Sequence, residues 1–253
     1  MNGQMYQIAL IVAAAKIALQ TGEQIKYNDL GYGNSTKFSF LPKRGFFKTE
    51  KYQAKSVSDW FDRLKKNGLQ DIKLLCPVTV KDRNLLGFSN TTESSMVCFY
   101  EEGKLTYFTP YWQFDSAIGK WNILYSEHEW PNPPAGKPRF KDNSDSFRQI
   151  LSDIRDFASR IENKIFADVF AAAIGILDGV SNDSDLNLPS MPERNLRLFA
   201  AANLADVFGA MGSWNDEPAA MAQQKGLSKE YDRLSDELLR NVRLAILYAV
   251  NEL

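Results

Sequence analysis

Apolar residues recur every three or four positions in five stretches of the chain, and these read as helices. The first covers residues 4–20, with Met5, Ile8, Ile11 or Val12, Ala15 and Leu19 on one face and Gly22 placed to cap it. The second starts at the Ser56 and Asp59 pair of a capping box, carries Val57, Trp60, Phe61 and Leu64, and stops at Asn67-Gly68. Residues 145–178 keep Phe147, Ile150, Ile154, Phe157, Ile161, Ile165, Val169, Ala172 and Ile176 on one stripe. Unbroken, that helix would be about 50 Å long, so a break is expected near Gly175. Ser190, Pro192 and Glu193 form a helix start, followed by Leu196, Phe199, Leu204, Val207 and Phe208. The last helix begins near Ser228 and turns Tyr231, Leu234, Leu238, Val242, Ile246 and Ala249 inward, with Arg240 and Arg243 on its flanks.

Between the second and third helices the period changes to that of extended chain. Residues 72–80 are rich in strand formers, with Pro77 marking an edge or a bulge. Residues 96–100 and 104–108 flank Glu101-Glu102-Gly103, the signature of a hairpin, and residues 121–125 supply another strand. A small antiparallel sheet is the economical reading, and Cys76 and Cys98 would sit on neighbouring strands of it. Residues 28–55 read as irregular. Four prolines and a glycine within residues 130–143 rule out regular pairing there and place a boundary. The fold class is therefore α+β: a domain at residues 1–140 of helices and a small antiparallel sheet, then an all-α helical bundle at residues 141–253.

Composition narrows the class. The chain has 253 residues, 44% hydrophobic and 24% charged, as ordinary globular proteins do. A net charge of −1 supplies no global field toward nucleic acid or anionic lipid. Two cysteines are too few for a disulfide framework and are read as reduced thiols of a cytoplasmic protein. The run at residues 8–15 has the apolar character of a signal-peptide core, but no Lys or Arg precedes it and Lys16 interrupts it, which favours an amphipathic helix. No stretch reaches the ~20 apolar residues of a membrane span, so no membrane insertion is expected.

Candidate chemistry is sparse. His128, the single histidine, lies between Glu127 and Glu129, a pairing that general-base catalysis uses, and a hydrolase built on it is one alternative. One histidine excludes a multi-histidine metal site, and no metal or cofactor is expected. Asp178, Asp183 and Asp185 suggest a calcium loop, but counting from Asp183 puts Leu188 where the EF-hand needs glycine and Arg194 where it needs glutamate. Residues 31–37 lack the spacing of a phosphate-binding loop. In residues 37–55, Lys37, Lys43, Arg44, Lys48, Lys51 and Lys55 alternate with Phe38, Phe40, Phe46, Phe47 and Tyr52. Cations that track phosphates, with rings that stack on bases, suit single-stranded nucleic acid, the other alternative; the plain reading has the rings inward and the lysines in water.

Residues 208–216, Phe-Gly-Ala-Met-Gly-Ser-Trp-Asn-Asp, make the most distinctive string. Gly209 and Gly212 permit a sharp helix exit, Trp214 offers an anchor and Asp216 can cap a short helix at Glu217-Pro218. The string resembles a Phe-Gly-Gly-Met-Gly-Ser-Phe-Asn-Asp segment near the C-terminus of small bacterial proteins, some of them immunity-like, with Ala210 and Trp214 as the departures. That resemblance spans nine residues and implies protein binding without catalysis. The leading reading is thus a non-enzymatic bacterial protein with a protein partner. Its expected contact residues are Lys43, Arg44, Phe46, Phe47 and Lys48, the exposed aromatics Tyr111, Trp112, Trp121 and Trp130, and Trp214, because aromatics and arginine dominate binding hot spots.

Overall fold

The computed structural model describes residues 2–44, 49–50, 52–81, 83–86, 89–91, 93–130, 136–181, 190–209 and 211–253. It is a mixed helix and sheet protein. The helices are α1 (Gly3–Thr21), α2 (Val57–Lys66), α3 (Ser144–Arg160), α4 (Lys164–Leu177), α5 (Glu193–Ala205), α6 (Glu217–Gln224) and α7 (Ser228–Asn251). The strands are β1 (Gly33–Ser39), β2 (Lys43–Arg44), β3 (Thr49–Glu50), β4 (Gln53–Ala54), β5 (Leu69–Leu75), β6 (Ser95–Tyr100), β7 (Leu105–Asp115) and β8 (Lys120–Glu129).

The main sheet has six strands in the order β4-β1-β8-β7-β6-β5, and β2 pairs separately with β3. This corrects the expected small antiparallel sheet: β1 runs parallel to β8, with Phe38 opposite Tyr125, and the other ladders are antiparallel. β1 lies in the stretch read as irregular. Its segment Gly-Asn-Ser-Thr carries almost no apolar alternation, so its extended form is fixed by pairing with a strand almost ninety residues away, which no local pattern reveals. Where the pattern does alternate it is obeyed. Phe38 turns inward, stacked between Trp60 of α2 at 4.8 Å and Tyr125 at 5.0 Å.

Helix α1 is not amphipathic. Every residue from Gln7 to Lys16 is buried, because the helix packs on both the sheet, which it meets at β5 and β6, and α7. Tyr6 also reaches Phe199 of α5. Buried Lys16 is neutralised by Asp71 of β5 at 3.0 Å. One hydrophobic core continues from α1 and the sheet through the helices beyond residue 141. Those helices pack on one another, and α7 packs on β5 and α1 as well, which a self-contained bundle would not do.

The long helix expected over residues 145–178 is two. It breaks at Glu162, whose φ is +65°, and Asn163 caps α4 by accepting from the Phe166 amide; Gly175 stays inside α4. The hinge lets α3 and α4 fold against each other, and Ile165, counted on the apolar stripe, ends 74% exposed. At the next helix Pro192 holds the N-cap position with no side-chain cap bond, so the Ser190 capping box does not form. Arg243 is buried instead of flanking, its Nη1 donating to the Pro77 carbonyl at 3.2 Å. Cys98 is buried in β6 and Cys76 follows the end of β5, and neither is in a disulfide.

The described part of the Pro-rich segment straps the outer sheet face. Lys137 sits over the Phe99 ring and pairs with Asp71, and Phe140 lies over Lys73 while its amide donates to Glu252 of the C-terminal end. Among the described residues no helix is long and apolar enough to cross a membrane.

Candidate functional site

Strands β7 and β8 form the longest hairpin, in register from Thr106 opposite Glu129 to Asp115 opposite Lys120. β6 accompanies β7 only as far as Phe108, so residues 109–115 continue beyond it. Where β6 is missing, one side chain takes its place. Asn90, at φ +60°, accepts from the Trp112 amide at 2.7 Å and donates to the Trp112 carbonyl at 2.8 Å. Gln4 of α1 in turn donates to Asn90 Oδ1 at 3.0 Å and accepts from the Asn90 amide at 3.2 Å. The hairpin root is therefore tied to the start of α1 by satisfied polar groups, which holds the tip in one orientation.

Alternation along the hairpin then produces a run of rings from core to solvent. Phe108 and Tyr125 are wholly buried, and Trp112 is 6% exposed beneath the backbone of Gly3, where a Cβ would lie 3.6 Å from the indole. Beyond Trp112 the rings become more exposed. Tyr32 and Trp121 pack on Trp112 at 5.6 and 5.7 Å, and Phe114 packs on Trp121 at 5.1 Å while remaining 52% exposed. Ile118 at the turn is 51% exposed, and Tyr111 on the opposite face is 59% exposed. Asn2, Gly3, Gln4 and Ser89 with the rings of Tyr32, Trp112 and Trp121 line an open hollow of about 340 Å³. Burial pushes the Tyr32 phenol far above its ordinary range, so it stays neutral.

The residues singled out from sequence separate into four groups. Tyr111 is exposed and Trp121 partly so, and they lie on the hairpin. Trp112 was expected at the surface but is in the core, because its position shares the inward face with Phe108. Trp130 is half-buried, edge-on to Tyr107 at 5.7 Å. Trp214 is fully buried: its Nε1 donates to Ser235 at 2.8 Å, Tyr231 stacks on it at 5.6 Å, and Phe166 and Phe170 meet it edge-on at 5.2 Å. The 208–216 string is thus a packed turn, with Gly212 at φ +80° donating its amide to Asp216. Asp216 spends its side chain there and makes no cap bond to α6.

In the basic stretch, Phe38 and Phe40 point into the core and are unavailable for stacking on bases, whereas Lys37 is exposed. Lys43 and Arg44 pair through their backbones with Glu50 and Thr49; Phe46, Phe47 and Lys48 lie outside the described residues, as do Asp183 and Asp185 of the acidic loop. The 127–129 triplet is divided by strand alternation. Glu127 faces inward, accepting from Thr106 Oγ1 at 2.8 Å and the Leu41 amide at 2.9 Å. His128 is on the other face, stacked on Tyr107 at 5.1 Å with Nε2 2.9 Å from Thr109 Oγ1. The imidazole and its flanking carboxylates therefore do not meet. Among the described residues no three His, Cys, Asp or Glu side chains cluster to hold a metal.

Sequence reasoning overlooked Tyr32, Asn90, Phe114 and Ile118. Phe114 carried a signal, since alternation from Phe108 predicts its face once β7 is known to extend to Asp115. Asn90 carried none, because its role exists only where β6 stops short. The fold and this surface define a mixed α/β protein with an anchored, aromatic-tipped hairpin. No known protein-family model matches the chain, and neither does any curated protein or solved structure.

Proposed function

We propose that this chain is a bacterial, cytoplasmic protein that works by binding another protein through the tip of the β7–β8 hairpin, without catalysing a reaction. One observation carries the reading: Tyr111, Phe114 and Ile118 expose apolar surface at the end of a hairpin whose root is locked by Asn90. Exposed aromatics on a pre-organised element lose little conformational entropy on binding and make effective hot spots. A membrane-inserting role would need apolar length that the described helices lack. The separation of His128 from Glu127 and Glu129 weighs for binding over hydrolysis. The immunity-type assignment rests on the 208–216 resemblance alone, and that string supports the fold from inside.

The test is affinity capture from the native host with the wild-type chain beside a Phe114→Ser/Ile118→Ser variant, with bound proteins identified by mass spectrometry. A stoichiometric partner held by the wild type and lost by the variant is expected. Absence of such a partner, or equal capture by both chains, would refute the assignment.

A further inference from the structure

A second concavity lies at the opposite end of the hairpin and shares no residue with the aromatic tip. It is a cleft of about 270 Å³ where the C-terminal ends of β1, β6 and β8 meet the last turn of α2. Apolar walls come from Phe40, Leu41 and Pro42 and from the rings of Tyr52 and Tyr100. Four charged side chains line it: Arg63 and Lys104, Glu127 and Glu129.

Opposite charges brought to one cleft ordinarily pair. Here, among the described residues, none of the four forms an ion pair within 4 Å. Three of them are held in place by other means, and Glu129 stands at the exposed rim. The Arg63 guanidinium lies 4.8 Å over the Tyr52 ring, and its Nε is buried without a hydrogen-bond partner. Lys104 lies 5.7 Å over Tyr100. Both oxygens of Glu127 are oriented, one by Thr106 and the other by the Leu41 amide, and Thr106 is backed by the Tyr100 hydroxyl at 3.3 Å. A buried guanidinium N–H without an acceptor is costly, and a built carboxylate facing two unneutralised cations is an arrangement that a bridging solute would complete.

The signs decide which solute. A simple anion drawn to Arg63 and Lys104 would meet Glu127 and Glu129, and a simple cation would meet the reverse. A molecule with both charges satisfies all four. We infer that this cleft binds a small zwitterion of α-amino-acid size, its carboxylate on Arg63 and Lys104, its ammonium on Glu127 and Glu129, and its side chain against Phe40 and Pro42. The volume fits such a solute and is below the usual range for larger ligands.

Calorimetric titration of the full chain with free L-α-amino acids, beside their N-acetyl and carboxamide derivatives, tests this. At least one free amino acid should bind saturably, and blocking either charged end should weaken binding by about tenfold or more. Arg63→Gln and Glu127→Gln should each do the same, with thermal melts confirming that the variants fold. If Glu127→Gln loosens the fold, Glu129→Gln at the exposed rim carries the same expectation. No saturable binding at up to about 10 mM overturns the inference, as does equal binding of the N-acetyl form or indifference to Arg63→Gln. None of these outcomes bears on partner capture by the hairpin tip.

Discussion

The side-chain amide of Asn251 is bonded twice to the backbone of Leu74. Its Oδ1 accepts from the Leu74 amide and its Nδ2 donates to the Leu74 carbonyl, both at 2.8 Å. Leu74 belongs to β5, the edge of the sheet, and Asn251 ends α7, so the last residue of the last helix supplies the strand that the edge lacks. Asn90 does the same for β7 at Trp112. Asparagine suits both places because its amide carries one acceptor and a donor in the geometry of a peptide group.

Removing that amide strands two buried backbone groups. Asn251→Ala should cost about 2–6 kcal/mol, taking about 1–3 kcal/mol per unpaired group. Asn251→Asp keeps the acceptor but sets a carboxylate oxygen against the Leu74 carbonyl in a buried place, so it should cost at least as much as the alanine variant. Urea denaturation measures both, and a loss under about 0.5 kcal/mol for the alanine variant would show that water replaces the pairing.

Trp214 should behave as a core residue despite standing in an irregular turn. Trp214→Ala should lose about 3–5 kcal/mol through the cavity among Phe166, Phe170 and Tyr231. Trp214→Phe should cost less but leave Ser235 without its donor. Thermal unfolding ranks the two, and a phenylalanine variant as unstable as the alanine one would place the indole's value in its N–H.

On the hairpin, stability and binding should separate within a few residues. Trp112→Ala should destabilise by about 3–5 kcal/mol, whereas Tyr111→Ala and Phe114→Ala should change stability by about 1 kcal/mol or less. The same two variants should weaken partner binding strongly. Chemical denaturation alongside binding titrations makes the comparison.

Alkaline pH should unfold the protein through its buried phenols. Burial pushes Tyr231 and Tyr27 up from 10 to about 12. The folded state then holds these protons more tightly than the unfolded state, so stability is intact below about pH 10 and falls as pH rises toward 12. Two units on one group correspond to about 3 kcal/mol. Tyr231→Phe removes the share of that residue, and urea midpoints between pH 9 and 12 should fall less steeply in the variant than in the wild type.

Helix α2, helix α7 and the β6–β7 turn were legible because each announces itself locally. Ser56 accepts from the Asp59 amide as the capping pattern requires, and Tyr231, Leu234, Leu238 and Val242 face inward as their spacing requires. The candidate site was half legible: Tyr111 and Trp121 were named, while Phe114, Ile118 and the anchoring Asn90 were not.

By itself the sequence determined most of the helices, the β6–β7 hairpin, the inward faces of α2 and α7, and that an α+β chain of near-neutral charge results. Those properties depend on residues within one or two turns of each other. Tertiary structure alone decided the parallel entry of β1, the break at Glu162, the burial of α1 on all sides, and which aromatics end in solvent. Each depends on a partner distant in the chain: β8 for β1, the sheet and α7 for α1, and for the hairpin tip the place where β6 and α1 cease to cover it.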